Sequence, residues 1–151
     1  IGDSLCNADD FHNIQTIIEK AKANKVSIYL PIDFICMNIH DGKLITYPDK
    51  PGIPNNHVYV DVGPDTIEYY NAIISDAKVV VWTGAFGSHL NNFNGTKLIM
   101  NTLADMNIIK VLVGDDLAKK CHELDLEESF SHINTGQNGI RLLEGKTLFN
   151  D

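Results

Sequence analysis

The spacing of apolar residues predicts an alternation of helices and strands along most of the chain. Between Phe11 and about Asn24, Ile14, Ile18 and Ala21 recur every three or four residues, which predicts an amphipathic helix. Short apolar runs bounded by turn residues then predict strands over 26–30, 34–39, 44–47, 58–62, 78–82, 108–113 and 130–134. Further helices are predicted to begin near residues 64, 95, 117 and 140.

Two features of this alternation predict the fold class. Asp41-Gly42 lies between two apolar runs and is typical of a β-hairpin turn. The other strands are apolar throughout and most are followed by helices, which predicts a parallel sheet covered by helices on both faces. We therefore expect one α/β domain over residues 1–151, a three-layer Rossmann-like parallel sheet with a β-hairpin excursion.

Composition restricts the partners of this domain. The net charge of −8, with Arg141 as the single arginine, argues against nucleic-acid and membrane surfaces, which need clustered Lys and Arg. The longest apolar runs are too short to cross a bilayer. Three widely spaced cysteines, Cys6, Cys36 and Cys121, predict reduced thiols and a cytoplasmic location.

Three glycine-containing loops follow predicted strands, at residues 82–87, 113–116 and 134–139. Ligands of open α/β sheets bind outside the carboxyl ends of the strands, where backbone amides and helix N-termini attract anions. These loops are therefore the candidate phosphate-binding loops. None of them matches the Walker pattern or a complete Gly-x-Gly-x-x-Gly fingerprint.

Ordered motifs across nearly the whole chain resemble phosphoglycerate kinase, in the later part of its C-terminal nucleotide-binding domain. The resemblance implies a partial C-terminal domain over residues 1–151 and the family's reaction, phosphoryl transfer between 1,3-bisphosphoglycerate and ADP. It also implies ADP or ATP with Mg²⁺ as ligand. The matching segments are 1–4 (family IGDS), 30–34 (LPVDF), 52–54 (GIP), 61–66 (DxGPET), 81–84 (VWNG), 93–97 (ending in GT-K) and 142–146 (LLEGK).

The resemblance also implies a set of nucleotide-site residues, and several of them depart from the family pattern. Leu90 matches a glutamate that holds the ribose hydroxyls, and a leucine accepts no hydrogen bonds. Asp115 adds a carboxylate where a glycine amide meets the phosphates, and Leu117 removes a hydroxyl. Gln137 replaces a glycine of the third loop. The implied cofactor-binding residues are Gly84, Leu90, Gly114, Asp115, Asp116, Leu117 and Gly136, with Asp116 facing the metal and no catalytic residue assigned.

These departures leave three hypotheses for function. The first is a phosphoglycerate kinase-like domain that is inactive as this chain alone, since the family's GGAKV segment and its N-terminal substrate domain have no counterpart here. The second is a non-catalytic structural or partner-binding pseudoenzyme, and the third is a nucleotide sensor without transfer. An incomplete sheet also predicts a covering partner, which is either upstream sequence or another protein chain.

Other residue groups carry alternative interpretations. Asp115-Asp116 could bind magnesium, or could cap a helix and remain solvated. Cys121-His122 with His132, or His40 with His57, could suggest a metal site, although no spacing matches a zinc signature and ordinary surface or core positions are favoured. Trp82 could line a nucleoside pocket, or could pack in the core.

Overall fold

The computed structural model describes residues 2–4, 11–87 and 94–136. The chain divides into two compact units, Ile1–Gly63 and Pro64–Asp151. The elements in chain order are α1 (Phe11–Ala23), β1 (Asp33–Asn38), β2 (Leu44–Pro48), β3 (His57–Val62), α2 (Pro64–Ser75), β4 (Val79–Thr83), α3 (Asn94–Ala104), β5 (Ile109–Val113), α4 (Asp115–Glu123), a short 3-10 helix (Glu127–Ser129) and β6 (His132–Asn134).

The first unit contains an antiparallel sheet with strand order β2-β1-β3. The predicted hairpin is confirmed as β1 and β2, and the Asp41 carboxylate accepts a hydrogen bond from the Lys43 amide at 3.0 Å within the turn. The strand at 58–62, expected in the parallel sheet, instead pairs antiparallel with β1. The hairpin leaves one side of β1 open, and β3 supplies the missing ladder partners there.

The N-terminal segment, residues 2–4, is hydrogen-bonded to β3 and to Asn56, the residue before β3. The Asp3 amide donates to the His57 carbonyl at 2.9 Å, and its carboxylate accepts from the Asn56 amide at 2.9 Å. The Ser4 hydroxyl accepts from the Tyr59 amide, also at 2.9 Å. The segment that resembles IGDS therefore fixes the backbone at the start of β3, an outer strand of the described sheet.

The prediction of a strand over Val26–Leu30 is wrong, because the chain there forms neither helix nor strand. Val26 is 59% exposed and Leu30 is 69% exposed. An apolar run becomes a strand only where a neighbour supplies ladder hydrogen bonds, and none of the described strands pairs with this run. The predicted apolar stripe of α1 is likewise exposed at Ile14 and Ile18.

The second unit contains a parallel sheet with strand order β4-β5-β6, and the α/β class is confirmed. Helix α2 begins at Pro64, as predicted, since proline suits the first helical position. The core of this unit combines strand residues with the buried sides of the helices. Its buried apolar residues are Ile67, Trp82, Ile99, Met100, Leu103, Leu112, Val113, Leu117, Cys121 and Phe130.

One face of the parallel sheet differs from the prediction that its strands are buried on both sides. Val79 pairs with Ile109, and Val81 pairs with Val111, so these four side chains share a face. Val79 and Ile109 are 56% and 55% exposed, and Val81 is also exposed. This open sheet face, defined by Val79, Val81 and Ile109, is apolar and accessible.

None of the helices in the described parts of the chain is long and apolar enough to span a membrane.

Candidate functional site

The candidate loops lie together because the three parallel strands end level with one another. Thr83 pairs with Val113, and Val113 pairs with Asn134, so the loops leave one edge of the sheet side by side. We call residues 83–87, 113–117 and 134–136 the strand-end loops. Each contains a glycine at positive φ, +77° at Gly84, +120° at Gly114 and +75° at Gly136, where an L side chain is strained.

The first strand-end loop is held by aromatic packing and by α3. The Trp82 indole donates to the Gly84 carbonyl at 2.9 Å, and its ring lies 5.6 Å from that of Phe86. Phe86 also packs against Tyr70 at 5.7 Å. The buried Thr96 hydroxyl donates to the Phe86 carbonyl at 2.7 Å. These contacts favour the packing interpretation of Trp82 over the pocket interpretation.

The second strand-end loop opens α4 with two acidic residues. Gly114 is the N-cap, and no side chain forms a capping hydrogen bond there, so the aspartates occupy the first turn and do not cap the helix. Asp115 and Asp116 are both exposed. Leu117 is 1% exposed and packs in the core. Two carboxylates therefore stand at a helix N-terminus, where the helix dipole favours negative charge.

The second and third loops are joined by two hydrogen bonds. The Gly114 amide donates to the Asn134 carbonyl at 2.9 Å. The Gly136 amide donates to the Asp115 carboxylate at 3.0 Å. The amides of both glycines are thus satisfied within the chain. Leu90 and Gln137, predicted to matter at the same edge, lie outside the described residues.

Two features of the described residues at this edge disfavour a polyphosphate. A phosphate chain needs unoccupied N–H donors and nearby cations, whereas here both glycine amides are engaged and Asp115 and Asp116 add negative charge. The side chains of the strand-end loops include no lysine or arginine. Gly84, Gly114, Asp115, Asp116, Leu117 and Gly136 do lie on the three adjacent strand-end segments, and their roles in nucleotide binding stay predictions.

Nothing in the described ranges gathers three or more His, Cys, Asp or Glu side chains into a group that could hold a metal ion. Asp116 stands in the first turn of α4 beside Asp115, whose carboxylate is already hydrogen-bonded. Two neighbouring carboxylates supply few of the six oxygen ligands that Mg²⁺ prefers. The metal role of Asp116 therefore stays a prediction from the family resemblance.

The cysteine and histidine groups are involved in other contacts. Cys121 is fully buried, and burial raises the pKa of its thiol to about 11, which disfavours the thiolate. The neighbouring His122 is exposed and contacts Glu127, a hydrogen bond that raises the pKa of His122. His57 is buried, with its ring nitrogens near the Asn55 carbonyl at 2.9 Å and the Tyr47 hydroxyl at 3.1 Å.

Comparison with known proteins identifies the family of this fold. The sequence model described as phosphoglycerate kinase matches residues 1–146. The chain belongs to the phosphoglycerate kinase family. Phosphoglycerate kinases of Drosophila melanogaster and Candida albicans are 38% and 35% identical to it, each over 98% of the chain. The phosphoglycerate kinase structure from Coxiella burnetii superposes with a TM-score of 0.88 at 28% identity, over 98% of this chain and 40% of that one.

The chain spans about 38% of the length of these curated phosphoglycerate kinases. The predicted resemblance to this family is confirmed. Sequence reasoning missed the hydrogen bond from Thr96 to the first loop and the one from Gly136 to Asp115. A threonine in a predicted helix that follows a loop was the sequence signal for the first of these.

Proposed function

We propose that this chain is a phosphoglycerate kinase nucleotide domain that does not itself transfer phosphate. The reaction implied by the family moves a phosphoryl group between 1,3-bisphosphoglycerate and ADP. The observation that carries the proposal is the pair of exposed carboxylates, Asp115 and Asp116, in the first turn of α4. They stand where a polyphosphate would need the partial positive charge of a helix N-terminus.

Phosphoryl transfer depends on positioning and charge stabilisation, so the content of the strand-end loops decides whether it occurs. Leu117 is buried and offers no hydroxyl, and the Gly136 amide is already engaged. No single acid or base elsewhere in the chain would replace these lost contacts, because the reaction asks for a surrounding cradle of donors and cations. These features support a framework role over a catalytic one.

The proposal predicts that Mg-ADP will leave the melting temperature of the 151-residue chain unchanged. A ligand that binds only the folded state raises its stability by RT ln(1 + [L]/Kd), so about 5 mM nucleotide reports even millimolar affinity. Differential scanning fluorimetry measures the shift, with the Drosophila melanogaster enzyme as positive control. A saturable rise would favour the nucleotide-sensor hypothesis, and turnover in a coupled assay would overturn the proposal.

We further propose that the open sheet face is covered in the functional protein. The covering segment is either further sequence of the same polypeptide or another protein chain. Val79 and Ile109 expose more than half of their side chains, on a strand pair whose outer strand β4 is an edge within the described sheet. In the other unit, the segment 26–32 also exposes apolar side chains, including Val26 and Leu30. Soluble monomers rarely leave such surfaces uncovered.

This second proposal predicts that the 151-residue chain self-associates when it is isolated. Light scattering after size-exclusion chromatography should show species larger than a monomer. The double variant Val79→Lys/Val81→Lys should shift the population toward monomer, because charges on the face and edge oppose association. The control variant Leu98→Lys changes an exposed leucine of α3 and should have little effect. A monodisperse, stable monomer of the unaltered chain would contradict the proposal.

The cytoplasmic location predicted from the sequence is part of the same proposal. Cys36 and Cys121 are both free and buried, and burial raises the pKa of each thiol. Free thiols in the core are what a reducing compartment maintains.

A further inference from the structure

A hydrogen bond between the Gly136 amide and the Asp115 carboxylate joins two of the strand-end loops outside any helix or sheet ladder. The two residues are 21 positions apart, and the donor is a backbone amide in the loop that follows β6. The acceptor belongs to the first turn of α4, which follows β5. An exposed carboxylate side chain therefore reaches across to the neighbouring loop and engages its glycine amide.

A carboxylate presents the same charge sign and the same type of acceptor oxygen to an amide as a phosphate does. Hydrogen bonds from backbone N–H groups to such oxyanions are charge-assisted and stronger than neutral ones. The Asp115 side chain is also attached to the first turn of α4, so its effective concentration at the Gly136 amide far exceeds that of a free ligand. A dissolved phosphate must displace it and approach Asp116 as well.

The remaining contacts in the two loops fit this arrangement. The Gly114 amide donates to Asn134, so the loop backbones are already joined beside the Asp115 contact. A β-carbon added at either Gly114 or Gly136 would meet no atom of the described residues within 4 Å, so crowding by those residues does not require either glycine. The Asp115 carboxylate is the group that occupies the Gly136 amide.

We propose that Asp115 is a built-in anion that takes the place of a phosphate at the Gly136 amide and keeps the strand-end loops closed to phosphate ligands. This inference rests on the proposed function and gives a physical reason why phosphate ligands would not bind at the strand-end loops. Repulsion by two carboxylates alone would be relieved equally by removing either charge. Occupation of the amide is relieved only by removing the Asp115 side chain.

The test uses inorganic pyrophosphate as the probe, followed by amide chemical shifts in ¹H–¹⁵N NMR spectra of the 151-residue chain. In the unaltered chain we expect no saturable shift at Gly114 or Gly136 up to about 10 mM pyrophosphate. In Asp115→Gly we expect saturable shifts at both amides and at least a tenfold gain in affinity. Hydrogen exchange at Gly136 should also become faster in Asp115→Gly without ligand, because its acceptor is gone.

Two control variants separate occupation of the amide from charge. Asp116→Asn removes the adjacent charge and leaves the Asp115 contact, and Asp105→Asn removes an exposed charge before β5. Both should bind pyrophosphate no better than the unaltered chain. Equal gains in Asp115→Gly and Asp116→Asn, or no gain in a folded Asp115→Gly, would overturn the inference and leave the proposed function standing. Turnover by the unaltered chain in the coupled assay would instead overturn the proposed function.

Discussion

Replacing Lys110 with methionine should lower the free energy of unfolding by about 3 kcal/mol, one of the two largest effects we expect from a single substitution in the described residues. Lys110 lies in the parallel strand β5 and is only 5% exposed. Its ammonium group donates to the carbonyls of Leu103 at 2.9 Å, Ala104 at 3.3 Å and Met106 at 2.6 Å. It also lies 5.7 Å from the centre of the Phe130 ring.

The size of this effect follows from the groups that would be left behind. Carbonyls at the C-terminal end of a helix have no partner inside the helix. At the end of α3, Lys110 donates to the carbonyls of Leu103 and Ala104, and the Leu103 carbonyl also accepts from the Met106 amide at 3.1 Å. Methionine has a similar length and no donor, so the carbonyls would lose their charged partner in a buried place. The positive charge also complements the negative end of the helix dipole.

Urea unfolding followed by circular dichroism measures the change. Lys119→Met, which alters an exposed lysine of α4, is the matched control and should change stability by less than about 0.5 kcal/mol. The slope of the transition should be the same in both variants, because the surface exposed on unfolding does not change. A loss below about 1 kcal/mol in Lys110→Met would show that water replaces the ammonium group at the helix end.

The role of Lys110 shows one limit of prediction from the sequence. Its run, from Ile108 to Val113, is correctly predicted as a strand, because apolar β-branched residues surround the lysine. The carbonyls that it binds belong to the preceding helix and turn, so the contact depends on how α3 ends beside β5. Helix ends are the least certain part of any assignment from sequence, and capping by a distant side chain leaves no pattern in the sequence.

The fold is predicted well where local patterns decide it and less well where sheet partners decide it. The hairpin turn at Asp41-Gly42 and the helix start at Pro64 are local signals, and both are confirmed. Strand pairing is not local. Val26–Leu30 has the composition of a buried strand but forms no strand, and 57–62 joins the hairpin sheet.

The position of the candidate site follows from the sequence, but its internal contacts do not. Parallel strands bring their carboxyl ends to one edge, and this rule alone is enough to group the three glycine loops. The sequence also predicts that the aspartate at position 115 opposes anion binding at the helix N-terminus. Its partner, Gly136, lies in a different loop, and only the level registration of β5 and β6 brings the two within 3.0 Å.

Residues that hold the fold together, such as Asp3 and Thr96, differ from residues of the strand-end loops in what their side chains contact. Asp3 holds backbone at β3, and Thr96 fixes the loop after β4 to α3. These contacts are between groups of the chain itself and fix the positions of backbone segments. The departures from the family pattern at Asp115 and Leu117 fall within the strand-end loops. The fold can therefore keep its shape while the chemistry of the loops changes, because different residues determine each.

Replacing Gly63 with alanine should destabilise the first unit by about 2–3 kcal/mol, because there is no room for a β-carbon. Gly63 follows β3, and its amide donates to the Asp33 carbonyl at 3.0 Å. A β-carbon at this position would overlap the Asp33 carboxylate. Asp33 is 4% exposed, so its side chain has little space into which it could move.

Two comparisons separate crowding from backbone strain at this glycine. Gly42→Ala places a β-carbon in open space at a φ of +71°, so it should cost only the backbone penalty of about 1 kcal/mol. In a double-mutant cycle, Asp33→Ala removes the carboxylate that the new methyl group would meet. Gly63→Ala should therefore cost less in the Asp33→Ala background than in the unaltered chain. Urea unfolding measures the free energy of unfolding of each variant. If Gly63→Ala costs the same in both backgrounds, the Asp33 carboxylate is not the obstacle. If Gly63→Ala costs no more than Gly42→Ala, the site has room for a methyl group.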